Sequence, residues 1–73
     1  NYKPVFPEVI KFSDNDMRII KDTFERAWKS DDFETINKLR NKVESTLDVK
    51  SDMFHQAFFE TIIKDFNYYT KKD

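Results

Sequence analysis

No glycine occurs anywhere in the 73 residues, and that absence constrains the fold more than any motif does. Glycine serves where the backbone turns left-handed or must approach a phosphate closely. Without it, phosphate-cradling loops, two-residue hairpin turns and glycine-capped helix ends are all disfavoured. What remains is a helical chain.

The segment Ser51–Tyr69 is the most apolar stretch and reads as the helix on which the rest packs. It carries Phe54, Phe58, Phe59 and Phe66, half of the eight phenylalanines. Two more helices precede it. Ser13 with Asp16 forms a capping-box signature, and Met17, Ile20, Phe24, Ala27 and Trp28 then recur on an arc of about 100°. Asp31 with Glu34 repeats that signature after a short break, and Phe33, Ile36, Leu39, Val43 and Leu47 span about 120°. Ser51 or Asp52 is placed to cap the third helix. The breaks are short, so consecutive helices are expected to run antiparallel. The predicted fold is all-α, a small up-down-up three-helix bundle with helices at about 14–29, 32–47 and 52–70.

Residues 1–12 differ. Pro4 and Pro7 exclude a helix interior there and hold Lys3 and Phe6 extended. Tyr2, Val5, Phe6, Val9, Ile10 and Phe12 are nevertheless apolar. The expectation is an arm laid across a bundle formed by residues 13–73, or else docked on, or swapped into, another subunit.

One domain is the ceiling for this length, and a chain so short buries only about 60% of its unfolded surface. With no cysteine, neither a disulfide nor a thiolate-bound metal supplements the core. Lysine and arginine number 13 against 14 acidic residues, for a net charge of -1. That balance disfavours nonspecific attraction to nucleic acid or anionic lipid. A hydrophobic content of 38% is too high for a disordered tail. No apolar run approaches the ~20 residues that span a bilayer, and no signal-peptide core is present. The chain starts at Asn1 and not Met, as a processed protein or a segment of a longer one would. The missing cysteines lean toward an intracellular setting.

Chemistry-bearing motifs are absent. The single histidine, His55, has no cysteine or second histidine to join as a metal ligand, and the carboxylate pairs Asp14/Asp16 and Asp31/Asp32 sit where caps belong. Neither an enzyme, a cofactor, a metal nor a small-molecule ligand is predicted.

The third helix has more apolar face than a small bundle needs. Phe54, Ala57, Phe58, Ile62 and Tyr69 make one stripe, and Phe59, Ile63 and Phe66 a second, for a total arc above ~200°. Exposed apolar patches of that size are rare on monomers. The expected cover is the N-terminal arm, a second copy of the chain, or another protein. The function read from this is a protein–protein interaction module, with Phe59, Ile63, Phe66, Tyr68, His55 and Phe6 as partner-binding residues. The alternative is a small helical DNA- or RNA-binding domain using Asn37, Lys38, Arg40, Asn41 and Lys42, residue types that read bases and phosphates. Its acidic surroundings and the sequence pI near 5.8 weigh against it.

Overall fold

The computed structural model describes residues 2–71. Asn1, Lys72 and Asp73, which fall within the expected arm and bundle, lie outside the described residues. Among the described residues the fold is all-helical, with a 3-10 turn over Pro7–Lys11 and helices α1 (Asp14–Lys29), α2 (Phe33–Leu47) and α3 (His55–Tyr69).

Each helix start follows from local chemistry. The Ser13 hydroxyl accepts the Asp16 amide at 3.0 Å while the Asp16 carboxylate accepts the Ser13 amide, closing the expected capping box. The α2 cap is Asp32 and not Asp31. Asp32 accepts both the amide and the hydroxyl of Thr35, and those bonds hold its carboxyl below the usual carboxylate range. Asp31 instead takes a left-handed backbone, φ 55°, as does Asp48 at the end of α2, φ 56°. Left-handed helix ends are therefore present after all. With no glycine available they fall to aspartate, one of the few side chains that tolerates αL.

α1 runs against both of its neighbours. At one end Trp28 meets Phe33 at 6.1 Å and Phe54 at 6.4 Å between ring centroids. At the other, Phe12, Asp16 and Ile20 share a small cleft with Val43 and Thr46, and Asp14 and Met17 share another with Phe66 and Asn67. The three-helix bundle is as expected. Its third helix, however, runs opposite to α1, where a simple up-down-up order would set it alongside.

The connector explains the difference. Residues 48–54 double back along α2 in place of starting a helix. Glu44 accepts the Ser51 amide at 3.0 Å, and the Arg40 guanidinium donates to the carbonyls of Ser51 at 2.7 Å and Met53 at 2.6 Å. The Ser51 hydroxyl accepts the Met53 amide, so it closes a turn and caps nothing. Helix α3 consequently begins at His55, three residues after the expected start.

The arm fills the space between α3 and α2. Pro7 opens the 3-10 turn, where its missing N–H costs no bond. Val9 is fully buried, and Phe6 packs edge-on against Phe58 at 5.6 Å. Asp65 ties the arm down. Its carboxylate accepts the Val5 amide at 2.9 Å, the Phe6 amide at 2.6 Å and the Tyr2 hydroxyl. Asp65 is 0% exposed, so without those donors it would be a costly buried charge.

The surplus face of α3 is covered from within the chain. Phe58, Phe59, Ile62, Asp65 and Phe66 are buried on one continuous arc of about 120°. The arm lies over the Phe58 side, and α1 covers the Phe59 side through Phe24, stacked at 4.5 Å. Phe54, Ala57 and Tyr69, which the helical wheel places on the closing stripe, are exposed instead.

Candidate functional site

The six residues expected to bind a partner are scattered by the fold. Phe6, Phe59 and Phe66 are buried in the core and present nothing to another molecule. The correction follows from the direction of α3, which brings α1 onto the face that the wheel leaves bare. Ile63 is half-buried, in the cleft with Met17 and Phe66. Tyr68 is exposed, beside Tyr2 at 6.1 Å and Tyr69 at 5.3 Å. His55 is half-buried at the start of α3, its ring 5.7 Å from that of Phe54.

The nucleic-acid alternative loses its strongest side chain. Asn37, Lys38, Asn41 and Lys42 are exposed, but Arg40 is buried and fully engaged. Besides its two carbonyl partners it pairs with Glu44 at 3.4 Å and lies over the Phe58 ring at 4.5 Å. Its Nη1 also stands 3.3 Å from His55 Nδ1. Arg40 is a structural clamp on the connector, unavailable to a phosphate or a guanine edge. Lys38 pairs with Glu34 at 3.3 Å in solvent. An open cleft of about 550 Å³ beside this face is lined by Asn41, Glu44, Ser45, Asp48, Val49 and Lys50.

Two aromatic groups remain at the surface. One is the tyrosine cluster of Tyr2, Tyr68 and Tyr69, with the Lys64 ammonium 5.7 Å above the Tyr2 ring. Tyrosine suits such a position, because its hydroxyl stays hydrated while the ring packs. The other is Trp28, Phe33 and Phe54, where the chain turns from α1 into α2 and enters α3. Phe33 is 45% and Phe54 66% exposed. Phenylalanine has no polar atom to offer water, so this second group carries the greater desolvation drive. It is continuous with the core, since Trp28 lies 5.6 Å from Phe24, which stacks on Phe59.

Phe54 also breaks a local rule. It occupies the N-cap of α3 and makes no side-chain cap bond, and no acidic residue stands in the first turn. Serine, threonine, aspartate or asparagine there is worth about 1 kcal/mol. Positions that depart from a local rule are where function is expected.

A family model spans the whole of this chain, residues 1–73. The chain belongs to the family described as Domain of unknown function (DUF8484). No curated protein and no solved structure matches it. The family description carries no activity, so the functional reading of this DUF8484 domain rests on its surface. No helix among its described residues is long and apolar enough to cross a membrane.

What the sequence missed had a trace. Asp65 stands seven residues after Phe58 and three after Ile62, in the middle of an apolar stripe. Arg40 likewise falls four after Ile36 and three before Val43. A charge inside a stripe at helical spacing marks a buried polar contact, and both of these are such contacts.

Proposed function

We propose that the chain is a small protein-interaction module that docks a partner on Trp28, Phe33 and Phe54, with His55 at the margin. The observation that carries this reading is Phe54, 66% exposed at a helix N-cap that it does not cap. Trp28 beneath it supplies the rigid aromatic floor typical of interface anchors. The reading is of binding, not catalysis. The Ser13 hydroxyl is held in a capping box, the Ser30 hydroxyl donates to the Arg26 carbonyl at 3.0 Å, and the Ser51 hydroxyl accepts a backbone amide. Each of these hydroxyls is engaged in a local backbone bond, and His55 faces a guanidinium.

The test is a comparison of what the wild-type chain and a Phe33→Ser/Phe54→Ser variant retain from a cell extract. Ile10→Ser serves as the control, because Ile10 is 63% exposed and lies on the arm. Retention by wild type and by Ile10→Ser, with loss in the double variant, is the expected result. Equal retention by all three removes the patch from consideration.

A further inference from the structure

Taking the Trp28–Phe33–Phe54 surface as the docking site, we infer that its occupant is a cationic segment of another protein, an apolar anchor flanked by lysine or arginine. The rim of the surface is acidic. Asp31, Asp32 and Glu34 surround Phe33 in the chain, and Asp52 precedes Phe54 by two residues, four carboxylates against the two cations Arg26 and Lys29 that flank Trp28. Two of these carboxylates have other duties. Asp32 caps α2, and Glu34 pairs with Lys38. Asp31 and Asp52 have none: both are exposed, and neither carboxylate makes a hydrogen bond or an ion pair among the described residues. Capping accounts for the first pair and leaves the second unexplained.

Uncommitted like charges around an apolar centre select the sign of what docks there. They also disfavour a second copy of this chain. A two-fold interface would bring the same acidic rim against itself, and opposed like charges lower affinity. A partner with lysine or arginine around an aliphatic or aromatic anchor meets both demands of the surface.

Trp28 is the only tryptophan in the chain and sits in the surface, so its emission reports occupancy directly. The probes are an amphipathic leucine–lysine peptide and its leucine–glutamate counterpart, titrated into the full chain. The lysine peptide is expected to shift Trp28 emission saturably and the glutamate peptide to bind more weakly. In Asp31→Asn/Asp52→Asn the affinity for the lysine peptide is expected to fall about fivefold, with a shallower salt dependence. Asparagine at 31 suits the left-handed backbone there, so the fold is kept. Equal binding of the two peptides, unchanged affinity in that variant, no binding of either peptide, or self-association of the free chain in light scattering each overturns the inference. Equal binding that disappears in Phe54→Ser overturns only the charge preference and leaves the docking surface standing. Lysine-peptide binding that survives Phe33→Ser/Phe54→Ser removes the surface itself.

Discussion

Phe59 lies stacked on Phe24, their ring centroids 4.5 Å apart and their planes 25° from parallel. This pair seals the side of α3 that the sequence leaves open, and both rings are buried. A carboxylate there has no donor in reach. Phe59→Asp is therefore expected to unfold the isolated chain, and Phe58→Ala to cost about 3–5 kcal/mol in urea titration. A folded, monomeric Phe59→Asp would show the stack to be dispensable.

The arm is held by polarity as much as by packing. Asp65→Ala leaves the Val5 and Phe6 amides without their acceptor and is expected to cost about 2–5 kcal/mol. Hydrogen exchange at the arm amides checks it. Tyr2→Phe removes one of three donors from a partly exposed position, and about 1 kcal/mol is expected.

The same latch gives a pH dependence at the alkaline end. The hydrogen bond to Asp65, then desolvation and the carboxylate charge, push the Tyr2 phenol from 10.0 up to about 12. The folded value lies above the unfolded one. The contribution to stability is thus complete below pH 10.0 and lost as pH rises toward about 12. Arm protection against exchange or proteolysis should fall through that window in wild type, and the fall should be missing in Tyr2→Phe.

Arg40 fixes where α3 begins. Arg40→Met keeps apolar bulk over Phe58 but strands Glu44 and the Ser51 and Met53 carbonyls, at an expected cost of about 3–5 kcal/mol. Lysine lacks the planar fork that reaches two carbonyls at once, so Arg40→Lys should recover little of it. Chemical denaturation of both variants measures this.

The first two helices were legible because each spends one narrow stripe on burial. Met17, Ile20, Phe24 and Ala27 are buried as their spacing requires, and Ser13 caps where it should. The start of α3 was not legible. Ser51 and Asp52 look like caps, and only the long-range bonds from Arg40 and Glu44 divert them into a returning connector. The direction of α3 hangs on that connector, and with it the identity of whatever covers Phe59. The surface residues followed the same logic in reverse. Phe33 and Phe54 carry a core composition in a place where no neighbouring element arrives to bury them.

The central claim is that Phe54 is kept at its position for something outside the fold. The free energy of unfolding of Phe54→Ser tests it most directly. Serine supplies the missing N-cap, worth about 1 kcal/mol, and gives up the ring contacts with Trp28 at 6.4 Å and His55 at 5.7 Å, worth about 0.5 kcal/mol each. The stability of Phe54→Ser is expected to equal or exceed that of wild type. A loss of about 2 kcal/mol or more would place Phe54 in the core and contradict the account.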